Sequence, residues 1–140
     1  LRKLDTFIPN QDKNKLFIDN RRLCDIRTLQ EMPIYSYSEM VRRSETIDVL
    51  WFNHRKMPHS FFEVEHSTDI QNSLLKFYDL QDFCARMIIV ADKIRHDEYQ
   101  KKLNRGGVSQ IKNRIDFLDY ESLIKQYEYE LLKPSLSLVI

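Results

Sequence analysis

Asp48, Glu63 and Glu65 are the residues whose types and spacing could do chemistry. Asp48 lies in the run Thr46-Ile47-Asp48-Val49-Leu50-Trp51-Phe52, and the two glutamates in Phe61-Phe62-Glu63-Val64-Glu65-His66. Both runs are β-branched and aromatic, the composition of strands. Side chains alternate along a strand, so Asp48 shares a face with Leu50 and Phe52, and Glu63 and Glu65 share one with Phe61. A hairpin symmetric about Lys56–Met57 puts Asp48 opposite Glu65 and next to Glu63. Like charges that face each other across a sheet destabilise it by about 0.2–1 kcal/mol per pair. Two arrangements relieve that repulsion. The face can be solvated, with the acids paired to Arg42, Arg43 or Lys76, or a divalent cation can take the carboxylate oxygens as hard ligands. Spacing alone leaves both open.

The elements that must position these acids follow from periodicity. Residues 1–20, polar around Phe7–Ile8 and Leu16–Phe17–Ile18, read as an extended arm with one short strand, and Leu23, Ile26 and Leu29 as a short helix ending before Pro33. Ser36-x-x-Glu39 is a capping-box pattern that opens a helix to about Arg43. Thr68-x-x-Gln71 opens another, to about Cys84, and the connection between the two acidic strands covers Asn53 to Ser60. Arg86-Met-Ile-Ile-Val-Ala91 has the look of a strand buried on both faces. A helix over Ile94–Leu103, a strand over Arg114–Leu118 and a helix over Tyr120–Leu132, broken by Pro134, complete the chain. The strand ending at His66, the helix after it and the Arg86 strand make a β-α-β unit, which is right-handed and parallel as a rule. The expected fold is α/β, a mixed sheet flanked by helices. Residues 1–35 form the arm and short helix, and 36–140 the main body of one globular domain.

Composition bounds the function. The chain has 140 residues, 42% of them hydrophobic, enough for one core. Lys and Arg number 22 against 21 Asp and Glu, a net charge of +1, so overall basicity does not point to nucleic acid. Acids that hold metal would, however, cancel bases that hold phosphate. Cys24 and Cys84 are too few for a disulfide framework; they read as buried free thiols and fit a reducing, cytoplasmic setting. No apolar run is long enough for a membrane span. The chain opens on Leu1 rather than Met, which leaves room for a longer multidomain protein; a homodimer is equally open.

Ile47-Asp48-Val49-Leu50-Trp51, then Phe62-Glu63-Val64-Glu65-His66-Ser67-Thr68, then a helix and a buried strand, resembles the PD-(D/E)xK superfamily of restriction-endonuclease-like nucleases. The resemblance covers residues 36–92. It implies a restriction-endonuclease-like fold and metal-dependent hydrolysis of DNA phosphodiesters with Mg²⁺, or Mn²⁺ as a substitute. Asp48 and Glu63 match the metal-binding acids, and the Val64 carbonyl the backbone ligand. Where the family most often has Lys, this chain has Glu65. Lys76, on the following helix, matches the members in which the basic group has moved there, and its plainer reading is a surface pair with Asp79. Glu39 and Gln71 are possible accessory groups by position, each with a competing role in its capping box. Arg42, Arg43, Arg55 and Lys56 are the candidates for phosphate contact. The alternative is an inactive nucleic-acid-binding or protein-interaction module of the same fold.

The histidines add little. His54 and His59 fall in the connection, and His66 should point away from Glu65. Gly106-Gly107 lacks the other residues of a phosphate loop.

Overall fold

The computed structural model describes residues 4–9 and 22–139. Its five strands form one mixed sheet whose spatial order equals their chain order: β1 (Asp5–Phe7), β2 (Val49–Phe52), β3 (Pro58–Glu65), β4 (Arg86–Ala91) and β5 (Ile115–Asp119). β1, β2 and β3 pair antiparallel; β3, β4 and β5 pair parallel. The helices are α1 (Leu23–Ile26), α2 (Ser38–Ser44), α3 (Ile70–Asp79), α4 (His96–Leu103) and α5 (Tyr120–Val139). Short 3₁₀ segments cover Lys93–Arg95 and Gly106–Arg114. The α/β mixed sheet with flanking helices is the expected one. The arm is part of it, because Asp5–Phe7 pairs with Phe52–Leu50.

The core lies on one face of the sheet. Phe7, Leu50, Phe52, Phe61, Met87, Ile89 and Ala91 are buried there against Ile70, Leu74 and Phe77 of α3 and Tyr99 and Leu103 of α4. Ile70, Leu74 and Phe77 recur at the spacing of one helical stripe, so burying this face holds α3 across β3 and β4. Strand β4 matches its sequence reading at both ends, since Met-Ile-Ile-Val-Ala is buried throughout.

Several boundaries move. Strand β2 begins at Val49, with a bend at Ile47–Asp48, so Asp48 sits just before the strand. The hairpin is tighter than expected. Asn53 Oδ1 accepts the Arg55 and Met57 amides, Lys56 adopts a φ of 63°, and β3 starts at Pro58. Neither capping box forms as read. Tyr37 is the N-cap of α2, without a side-chain cap. Asp69 caps α3 by accepting the Gln71 amide, while the Thr68 hydroxyl is taken by Glu65. Helix α3 ends at Asp79 rather than near Cys84, and Cys84 is exposed, not buried. The Cys24 side chain and Leu16–Ile18 lie outside the described residues. Helix α5 runs through Pro134, which removes one backbone donor without ending the helix.

A candidate carboxylate and lysine site at the end of β3

The site grows from the register. Val49 faces Phe62 and Leu50 faces Phe61, so Asp48 comes opposite Glu63, two residues from the expected pairing with Glu65. The ladder stops there and side chains take over. The Asp48 amide donates to Glu63 Oε1 at 3.1 Å, and the Val64 amide donates to Asp48 Oδ2 at 2.8 Å. Alternation along β3 is clear: Val64 is exposed, whereas Glu63 and Glu65 keep only 2% and 5% of their surface. Both glutamates lie on the core face, with Glu63 beside Ile89 and Glu65 beside Ala91 in the parallel register.

Helix α3 supplies their partners. Ser73 falls inside the stripe formed by Ile70, Leu74 and Phe77, where a fourth apolar residue would be ordinary. Its hydroxyl reaches Glu63 Oε2 at 2.9 Å and also contacts Glu65 Oε1. A hydroxyl carries one proton, so it cannot donate fully to two carboxylates; it can accept from one of them when that one is protonated. One turn further, the Lys76 ammonium donates to the Thr46 carbonyl at 2.9 Å and faces the two Glu63 oxygens at 3.4 and 3.2 Å. Lys76 therefore pairs with Glu63, the acid on the sheet, and not with Asp79 in the surface pair its spacing also allowed.

The electrostatics agree with the crowding. Burial, and then the negative charge of Asp48, push the Glu63 carboxyl up to about 7; Lys76 and Ser73 pull it back in part. Glu65 is also raised, chiefly by burial, against the hydrogen bond from Ser73. Among the described residues, no three His, Cys, Asp or Glu side chains are gathered so as to hold a metal ion. Asp48, Glu63 and Lys76 are thus what the fold concentrates, with Glu65 alongside and tied to Ser73 and Thr68.

The other candidates spread out. Glu39 forms an exposed pair with Arg43 at 3.0 Å. Gln71 contributes its backbone amide to the α3 cap, and its side chain is exposed. Arg43 and Lys76 line a small groove with Thr46 and Asp79, and Arg42 lines a larger one with Phe7, Met32 and Glu45; the two meet at Thr46. The larger groove contains none of the candidate acids. Arg55 and Lys56 sit in the hairpin turn at the far end of β3, five strand steps from Glu63 at roughly 3.3 Å each; Lys56 pairs there with Asp5 at 2.6 Å. His66 is exposed, with Tyr120 Oη 3.4 Å from its Nδ1. Ser73 was not among the residues singled out for the site. Its signal was a polar residue at a stripe position, opposite two acids.

An α/β domain with a mixed sheet of this kind, flanked by helices, has a restriction-endonuclease-like fold. The chain belongs to the family of the C-terminal domain of the type II restriction enzyme NmeDI, whose model matches residues 2–134. The type II restriction enzyme NmeDI of Neisseria meningitidis serogroup C is 32% identical over 79 residues, which are 53% of this chain and 22% of that enzyme. The matched stretch is thus about a fifth of that enzyme's length. No solved structure matches the chain. No helix among the described residues is long and apolar enough to cross a membrane.

Proposed function

We propose that this domain is a metal-dependent DNA nuclease of the restriction type, a PD-(D/E)xK variant in which Glu65 stands at the usual lysine position and Lys76 supplies the basic group. The observation that carries the reading is a buried glutamate, Glu63, held against a second acid, Asp48, with one ammonium on both its oxygens. A folded core gains nothing from that arrangement, since a buried carboxylate is costly to desolvate and a like charge adds to the cost. The donor set fits Mg²⁺ or Mn²⁺: the Asp48 and Glu63 carboxylates are hard oxygen ligands. A strand residue's N–H and C=O leave on the same side, so the Val64 carbonyl leaves toward Asp48, as its N–H does.

When bound, the cation supplies charge neutralisation and Lewis acidity at the scissile phosphate. The chain's own residues do the rest. Asp48 and Glu63 would hold the cation, and Glu63 would release the proton that its burial favours. Lys76 turns from Glu63 toward the phosphate and stabilises the negative charge that develops there. Glu65, fixed by Ser73 and Thr68, orients the attacking water. Arg43, beside Lys76 in the small groove, meets the flanking phosphate, and Arg42 continues the track.

A second reading, DNA binding without cleavage, is favoured by one observation: no three metal-ligating side chains are gathered among the described residues. Incubating plasmid DNA with the protein and Mn²⁺ or Mg²⁺ separates the two. Cleavage that disappears in Glu63→Ala supports the nuclease. DNA retention without cleavage by the parent supports the binding module.

A further inference from the structure

The end of β3 and the start of α3 are joined by His66–Asp69, whose side chains are all exposed. No apolar anchor lies between Glu65 and Ile70, yet this turn decides where Ser73 and Lys76 meet Glu63. One residue from elsewhere grips it. Arg95, in the 3₁₀ turn after β4, donates from Nη1 to the Glu65 carbonyl at 3.1 Å and the His66 carbonyl at 3.4 Å, and from Nη2 to the Thr68 carbonyl at 2.6 Å. Its Nε and Nη2 also hold both carboxylate oxygens of Glu98 at 3.0 and 3.1 Å. Every guanidinium nitrogen is engaged, and the side chain is only 15% exposed. Lys102 extends the grip, since it pairs with Glu98 at 3.2 Å and with Asp69, the cap of α3.

We propose that Arg95 is a positioning residue for the site: by locking the Glu65–Thr68 carbonyls it fixes the entry of α3, and with it the placement of Ser73 and Lys76 against Glu63. A planar fork suits this task and a lysine does not, because one ammonium cannot span Glu98 and three carbonyls. The inference rests on reading Asp48, Glu63 and Lys76 as the site.

Arg114 provides a matched control. It holds the carbonyls of Gln81, Phe83 and Ala85 at the opposite end of α3. The test compares Arg95→Ala, Arg95→Lys and Arg114→Ala on two readouts. The first is the acetylation rate of Lys76 relative to that of exposed Lys125, followed by mass spectrometry on the metal-free protein. The second is Mn²⁺ affinity by calorimetry. Arg95→Ala should raise the Lys76 ratio several-fold and weaken Mn²⁺ binding about tenfold or more, the usual scale for groups that orient ligands. Arg95→Lys should fall between, millimolar guanidinium should restore the alanine variant, and Arg114→Ala should leave the ratio unchanged under conditions where the variant remains folded. A Lys76 ratio unmoved by Arg95→Ala, or moved equally by Arg114→Ala, overturns the proposal. A parent that neither binds Mn²⁺ nor cuts DNA sinks the nuclease reading instead, and the Lys76 ratio still judges Arg95. If Arg95→Ala does not fold, Glu98→Gln removes its bidentate partner and carries the same comparison.

Discussion

Strands β3 and β4 lie side by side in parallel register, and on the core face Glu63 neighbours Ile89 and Glu65 neighbours Ala91. All four side chains are nearly removed from water. On β4 that burial stabilises the fold; on β3 it opposes the fold, and the acids remain. Phe61, on the same strand and face, shows that β3 can fill the core in the ordinary way. The change therefore comes within one strand, at Glu63, where β2 has ended and Asp48 has bent in. Positions equal in burial but opposite in energetic sign separate the packing residues from the acids of the proposed site.

Phe61→Ala should have the largest effect and break the apolar half of the comparison. A fully buried Phe lost to Ala costs about 3–5 kcal/mol, read as a lower urea midpoint with little change in slope.

The acidic half should respond to pH. The folded Glu63 carboxyl, near 7, lies above its ordinary 4.5, so the folded state holds the proton more tightly than the unfolded chain. Stability should be highest at the acid end of that window and fall as pH rises through about 7, by something on the order of 2–3 kcal/mol in the metal-free protein. Asp5, Asp69, Glu98 and Asp119 are held below their usual range, stay ionised across the window and add no slope of their own. Glu65, raised chiefly by burial, adds a slope of the same sign, so Glu63→Gln should make the profile shallower without levelling it, and leave the protein more stable than the parent above pH 7. Chemical denaturation from pH 5 to 8 checks both, and a parent profile already flat would remove the electrostatic basis of the site.

Lys76→Ala sharpens the comparison by taking away the cation already present. Cleavage should drop about a hundredfold, the scale for losing one stabiliser of developing charge. Mn²⁺ should bind at least as tightly, because the ammonium no longer competes for Glu63. Full activity in this variant would return Lys76 to a structural ion pair.

The smallest effect belongs to Val64, exposed between the two buried acids. Val64→Thr should change stability by less than about 0.5 kcal/mol and leave metal binding intact, since only its backbone is asked to serve.

Much of this was legible in the sequence where one force dominates. Arg86–Ala91 matches its sequence reading to the residue, because a short run rich in β-branched apolar residues favours a buried strand. Alternation puts Glu63 and Glu65 on one face of β3, as the structure has them, and Asp48 lies near both, but it comes opposite Glu63 rather than Glu65, a two-residue difference in register. That difference comes from the turn. Asn53 accepting two amides, Lys56 at positive φ and an irregularity at Trp51/Phe52 shorten the hairpin, and none of these shows in composition. The caps failed for a similar reason: Thr68 is a good N-cap by type, but Glu65 competes for its hydroxyl and adjacent Asp69 takes over. Arg95 was invisible because its partners are backbone carbonyls some 30 positions away, and carbonyls leave no mark in a sequence.

The coincidence of spatial and chain order in the sheet has a kinetic consequence. Each strand pairs with the strand just before it, but only β2 and β3 are joined by a tight turn; the other pairs are connected through helices, so the hairpin has the cheapest loop closure. Asp48 lies just before β2, and Glu63, Glu65, Ser73 and Lys76 follow between β2 and the end of α3. On a ribosome delivering the chain from its N-terminus, these side chains emerge together, before β4 and before Arg95. The residues of the acidic corner thus emerge early and their proposed brace late: until residue 95 has left the ribosome, the nascent domain carries these carboxylates without the arginine proposed to position them.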